Sequence, residues 1–131
     1  MGRATEIRKL DAALSRYVRS SNADDAGYVT CYTCSRVKKW QEVDNGHFQT
    51  RAKYSTRWLY KPSEGLVNMA PQCKKCNMSN GGQQYLFGQR LDKEFGEGTA
   101  DEVIRLSNQT KKFATAEIIE MRKHYEKLFE G

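Results

Sequence analysis

Ile7, Leu10, Leu14, Tyr17 and Val18 recur at helical spacing with Arg and Lys between them. The pattern predicts an amphipathic helix from about Ala4 to Arg19. Ser20 to Gly27 is rich in turn formers and breaks it. Tyr28-Val29-Thr30 predicts a short strand, Trp40 to Phe48 a second, and Leu66 to Met69 a third that Pro71 ends. Gln49 to Gly65 has no clean period and reads as a long basic loop. Phe87, Leu91 and Phe95 lie four apart after Gly82, which predicts a helix that stops at Gly96. Thr99 and Glu102 have the spacing of a capping box, opening a further helix through Ser107. A last helix is predicted from near Thr115, with Ile118, Met121, Tyr125 and Leu128 on its apolar face. The terminal helices read as packing or dimer surface. There is no internal repeat and no low-complexity tract.

Composition narrows this picture. The 131 residues suit one α+β domain, and with 38% hydrophobic and 29% charged residues its core is modest. A chain of that kind gains from a metal cross-link. No apolar run is long enough to span a membrane, the first residues lack the apolar stretch of a signal peptide, and Glu6 breaks the myristoylation pattern. The expected address is therefore the cytoplasm, where thiols stay reduced. The net charge of +6 is uneven: Arg36, Lys38, Lys39, Arg51, Lys53, Arg57 and Lys61 face only Glu42 and Asp44 in that stretch. Trp40, Phe48, Tyr54, Trp58 and Tyr60 interleave with these cations, the footprint of a polyanion-binding surface. A charge run alone would read as a solvated loop.

Four cysteines stand in two CxxC knuckles, Cys31/Cys34 and Cys73/Cys76, and none is left over. Four soft thiolates set tetrahedrally suit zinc, and four protein ligands leave no open position for water. The predicted zinc is therefore structural. A redox pair or free buried thiols are the other readings of the same spacing.

The 38 residues between the knuckles contain Val43-Asp44-Asn45-Gly46-His47-Phe48. Phosphodiester hydrolysis needs a base for water and a hard cation for the developing charge. His47 is the candidate base, being naturally poised near neutrality. Asp44 offers oxygen to magnesium or manganese, and Asn77 offers a neutral oxygen held beside a zinc ligand. Asn68 could hydrogen-bond across the strands and fix the His47 ring. Each residue has a plain alternative: Asp44-Asn45-Gly46 is an ordinary turn, Asn68 a strand-end residue, Asn77 a helix cap. His124 reads as a solvated helix residue. Arg51, Lys53, Arg57, Lys38 and Lys39 are candidate phosphate contacts, conferring affinity without sequence preference.

The order C-Y-T-C, V-D-N-G-H-F, L-V-N-M-A-P-Q-C-K-K-C-N resembles the HNH, or ββα-metal, endonucleases. From Cys31 to about Glu102 the chain more closely resembles the phage NinG (Rap) recombination proteins, through D-N-G-H-F-Q-T-R, P-Q-C-K-K-C-N, G-G-Q-Q-Y-L-F-G-Q-R-L-D and F-G-E-G-T-A-D-E. It is also similar in pattern to the junction-resolving endonuclease of T-even phages. The resemblance implies a zinc-stapled ββα-metal core over residues 28–97, an N-terminal helix and turn over 1–27, and C-terminal helices over 98–131. It implies His47 as general base, Asp44 and Asn77 as ligands of catalytic magnesium or manganese, Asn68 as the middle Asn, and Cys31, Cys34, Cys73 and Cys76 as zinc ligands. It further implies a DNA endonuclease acting on branched DNA such as Holliday junctions in phage recombination, in the bacterial host cytoplasm. Symmetric junction cleavage needs a homodimer, which the flanking helices are compatible with. Two departures stand out. Gly46 occupies the position before the base where many HNH sites carry an acidic residue or His, and Asn77 replaces the final His. The rival reading is a zinc-stabilised DNA-binding module without chemistry; a redox or zinc-storage protein fits the basic stripe poorly.

Overall fold

The computed structural model describes residues 2–131. The first helix, α1 (Arg3–Ser21), runs two residues past the predicted end because Asn22 folds its side chain back onto Val18 O at 2.7 Å. β1 (Tyr28–Thr30) pairs antiparallel with β2 (Val37–Lys39), and the first knuckle lies in the turn between them. β3 (Asp44–His47) is shorter than the predicted strand. Trp40–Glu42 instead forms a 3-10 turn, where Trp40 N–H meets Gly27 O and the indole sits between Arg19 and Phe129.

The stretch expected to be an irregular loop is ordered. It holds α2 (Tyr54–Arg57), β4 (Tyr60–Lys61) and a 3-10 turn at Pro62–Glu64, because Thr56 and Trp58 are buried and must satisfy their backbone. β5 (Leu66–Val67) pairs with β4, and after a break at Asn68 the chain continues as β6 (Met69–Gln72), antiparallel to β3. Pro71 therefore does not end the strand. Its carbonyl accepts Tyr32 N–H at 2.9 Å, on the side away from β3, so its missing N–H removes no bond from the β3–β6 ladder.

A short, wide π-type turn, Lys75–Ser79, carries the second knuckle into α3 (Gln84–Phe95), which stops at Gly96 as expected. α4 (Thr99–Ser107) is not opened by a capping box. Its N-cap is Gly98 at φ 94°, the Thr99 hydroxyl donates back to Gly96 O, and Asp92 of α3 accepts Ala100 N–H at 2.8 Å. α5 (Thr115–Glu130) begins as predicted, with Glu117 accepting Ala114 N–H at 3.0 Å.

Two hydrophobic clusters hold these elements. Tyr32, Phe48, Phe87, Leu91 and Val103 join α3 and α4 to the strands. Leu10, Leu14 and Val18 of α1, Ile118 of α5, Trp58 and Met69 form the other, so the two terminal helices pack together. Met121 and Tyr125 extend that face, while Leu128 is 41% exposed. Glu6, 2% exposed, is paired with Arg122 of α5 at 3.1 Å. His124 is exposed, as its sequence context predicts.

Gly46 is explained by the β3–β6 pairing. A Cβ placed there would lie 2.8 Å from Gln72 Cβ and 2.7 Å from its Cδ, and Gln72 is fully buried. Gln72 cannot retreat, since its Nε2 donates to Gly82 O at 2.7 Å and Thr33 Oγ1 at 3.0 Å. Gly46→Ala is expected to cost about 2 kcal/mol or more by overpacking, read as a lowered urea midpoint at unchanged slope. A midpoint equal to that of wild type would contradict the account.

Candidate metal and catalytic centre

The two knuckles meet. All four cysteine sulfurs lie within 4.8 Å of one another, and Cys34 Sγ is 3.7 Å from Cys73 Sγ. Tetrahedral zinc at its usual bond length sets sulfurs about 3.8 Å apart. The quartet therefore fits that ion. Backbone amides already turn toward sulfur: Cys73 N–H points at Cys31 Sγ (3.2 Å) and Cys76 N–H at Cys73 Sγ (3.5 Å). Burial pushes the Cys31 thiol up, but the amides of Cys73, Thr33 and Cys34 and the Thr33 hydroxyl outweigh it and hold its pKa at about 6. Burial pushes Cys76 up to about 12.

Next to this cluster is an open cavity of about 600 Å³. Asp44 and His47 reach it from the two ends of β3, Asn77 from the turn after the second knuckle, Arg51 from the loop, and Asp11 and Ser15 from α1. Asp44 is the polar centre. Lys74 Nζ donates to its Oδ1 at 2.6 Å and Asn77 Nδ2 to its Oδ2 at 3.0 Å. Burial alone would raise the Asp44 pKa; the bonds from Lys74 and Asn77, with the charges of Lys74 and Arg19, outweigh it and keep the carboxyl below the ordinary range. Asp44 is thus ionised at neutral pH.

His47 Nε2 lies 3.1 Å from Arg57 O. A carbonyl oxygen only accepts, so Nε2 carries the proton and the Nδ1 lone pair is left to act as a base. Burial is the main influence on this ring and lowers its pKa; the Arg51 charge adds to that, against the Arg57 and Asn45 carbonyls and the Asp11 charge. The neutral imidazole therefore prevails at pH 7.

Asn68 makes no hydrogen bond to the His47 ring. It is fully buried and braces the following loop: its Oδ1 accepts Gln49 N–H at 2.7 Å, and its Nδ2 donates to Gln49 O at 3.1 Å and Thr56 O at 2.9 Å. Thr56 precedes the residue whose carbonyl holds His47, so Asn68 positions the ring indirectly.

The expected phosphate contacts divide. Arg51 lines the cavity with its side chain 60% exposed. Lys53 donates to Asn108 Oδ1 at 2.9 Å. Lys38 and Lys39 lie on the β1–β2 hairpin and do not line the cavity. Arg57 is not free for a phosphate, since its guanidinium, 14% exposed, is bound to Asp11 at 2.6 Å. Lys74, which stands between Cys73 and Asn77 in the chain, is a cation on Asp44 that the sequence pattern did not single out. Asp11, Ser15 and Arg19 are spaced four apart on one face of α1, a helix whose sequence reads as packing or dimer surface.

The class these features define is a mixed α+β protein whose terminal helices pack together beside a four-cysteine cluster. Within that class the chain belongs to the family described as Bacteriophage Lambda NinG protein, whose model matches residues 3–130. No match was found among curated proteins or among solved structures. No helix among the described residues is long and apolar enough to cross a membrane.

Proposed function

We propose that this protein is a metal-dependent DNA endonuclease with a zinc-clamped, HNH-like core, acting on branched DNA such as Holliday junctions during phage recombination in the host cytoplasm. One observation carries the reading: Asp44, His47 and Asn77, from one strand and the turn after a zinc knuckle, line a single open cavity with Asp44 and Asn77 hydrogen-bonded. The antiparallel β3–β6 pair and the turn that follows it support a ββα-metal reading of the core.

A carboxylate and an amide oxygen form the hard donor set that magnesium or manganese takes, leaving sites for water and phosphate. The cation, when bound, neutralises charge developing on the phosphate and the leaving oxygen. Asp44 would hold it with an ionised carboxylate, and Asn77 would present its amide oxygen. His47 accepts the proton of the attacking water at Nδ1, while Nε2–H stays on Arg57 O and keeps the ring aimed. Arg51 receives a neighbouring phosphate at the cavity edge. Two such sites on a junction need a homodimer for symmetric cuts.

One contact favours the alternative, a non-catalytic zinc-stabilised DNA-binding module: Lys74 Nζ on Asp44 neutralises the carboxylate without a metal. Lys74 is 63% exposed, and a pair so open to solvent contributes at most about 1 kcal/mol. A divalent cation can displace it.

The test uses labelled four-way and linear DNA with magnesium, manganese or neither. Nicking is expected only with a divalent cation and preferentially on the four-way substrate. Binding should weaken steeply with salt, by about 0.9 log units per log unit of salt for each phosphate contacted. Tight binding with no nicking in either metal would sink the endonuclease and leave the binding module.

A further inference from the structure

Asp11 sits on α1, outside the strands and knuckles, yet its side chain forms part of the cavity wall. Three donors hold it. Arg57 gives Nη2–H to Oδ2 at 2.6 Å and Nε–H to Oδ1 at 3.2 Å, and Trp58 gives its indole N–H to Oδ1 at 2.8 Å. This is the fork-to-fork geometry in which an arginine and a carboxylate fix each other's orientation as well as their distance. The Arg57 guanidinium also lies over the rings of Tyr54 and Trp58, 5.1 and 5.7 Å from their centroids. Residues 57 and 58 cannot shift without breaking several of these contacts.

What this segment presents is a single acceptor. Arg57 O takes His47 Nε2–H, and the preceding Thr56 O takes Asn68 Nδ2–H. The turn is gripped through its side chains by Asp11 and through its backbone by Asn68. His47 has its ring orientation from the carbonyl held between them.

We infer that Asp11 is a positioning residue for His47, acting through the Arg57–Trp58 segment, so that the N-terminal helix is a working part of the site; the inference rests on His47 being the base. With Asp11 removed, the Arg57 guanidinium loses both forked bonds and keeps only the single one from Nη1–H to Arg51 O at 3.0 Å, so it can swing toward solvent or a phosphate and let its own backbone shift. The carbonyl then no longer holds the Nε2 proton, and the ring is free to exchange tautomers and flip. The side chain of Arg57 is thus withdrawn from DNA by the same bond that aims the base.

The test reads His47 directly, by a long-range proton–nitrogen spectrum of the zinc-loaded full chain without DNA. Wild type is expected to show the Nε2–H tautomer alone. Asp11→Asn keeps the volume but loses the charge and the forked acceptor. It is expected to give mixed tautomers, with the Nε2 proton exchanging at least about ten-fold faster, and a kcat for nicking lower by roughly 10- to 100-fold with no rise in KM. Arg57→Met breaks the same link from the other end while keeping the packing on Tyr54 and Trp58, and should give the same mixture even if Asp11→Asn folds poorly. A single unchanged tautomer in either folded variant overturns the inference. Tautomer mixing in the variants of a protein that never nicks DNA would support the Asp11–His47 coupling and refute the endonuclease, so the two ideas fail separately.

Discussion

Stripping the cysteine cluster of its metal is expected to unfold the protein, not merely to loosen it. Among the described residues, each of the three sheets has two strands, and none of those strands exceeds four residues. A two-stranded sheet of that size is marginal in water. The β1–β2 turn is joined to the end of β6 through the four sulfurs, and that junction also sets the start of the Lys75–Ser79 turn. Structural zinc contributes about 10–16 kcal/mol in small domains, against a total stability of about 5–15 kcal/mol. The metal-free chain should therefore lose its near-ultraviolet signal and melt without a cooperative transition. Cys31→Ser should do the same, because that sulfur is fully buried and accepts the Cys73 amide. Elemental analysis should give about one zinc per chain. Omitting magnesium, by contrast, should leave the fold intact and stop only the chemistry. A chain that keeps its melting temperature after demonstrated loss of zinc would contradict this picture.

The cysteine quartet was legible in the sequence because its chemistry is local: two sulfurs three residues apart, twice, with none spare. The stop of α3 at Gly96 was legible for the same reason. Elements set by distant partners were not. Pro71 reads as a strand stop until the neighbour on the side away from β3 is known, and that neighbour is Tyr32, whose N–H meets the Pro71 carbonyl. Thr99 and Glu102 have capping spacing, but the amides such a box would use go to backbone carbonyls, Thr99 N–H to Gly96 O and Glu102 N–H to Gly98 O. The basic stretch read as phosphate contacts hid an internal pair, since Arg57 meets a carboxylate 46 residues earlier in the chain. Asn68 was expected to bond the His47 ring, but it bonds Gln49 and Thr56 instead, in a loop whose fold the sequence pattern did not reveal. Gly46 shows the converse. Read as a departure from a family pattern, it becomes a packing requirement once Gln72 is seen against it.

Replacing His47 with Ala is expected to lower the nicking rate by about 10²- to 10⁴-fold, the usual contribution of a positioned general base. The fold should survive, because the ring's hydrogen bond to Arg57 O is worth only about 1 kcal/mol. DNA affinity should also survive, since a neutral imidazole neutralises no phosphate. His47→Gln separates the two parts of the role: a side-chain amide can still donate to Arg57 O but cannot take a proton from water, so it should restore stability and not rate. Asn68→Ala should behave differently, losing three internal hydrogen bonds at a fully buried site and about 3 kcal/mol of stability together with rate. The pH profile of the wild type follows from the same ring. Only neutral His47 accepts a proton, and burial lowers its pKa below the ordinary value. Nicking should therefore persist below the pH at which a solvated histidine protonates, and fall as pH drops through the lowered His47 pKa. Asp44, also held below its ordinary range, stays ionised there and does not set that limb. The profile should lose this acid limb in His47→Ala, where the residual rate no longer depends on imidazole. A His47→Ala protein that cuts at the wild-type rate, or an acid limb that remains after the substitution, would remove His47 from the chemistry and return the base to an unassigned group in the cavity.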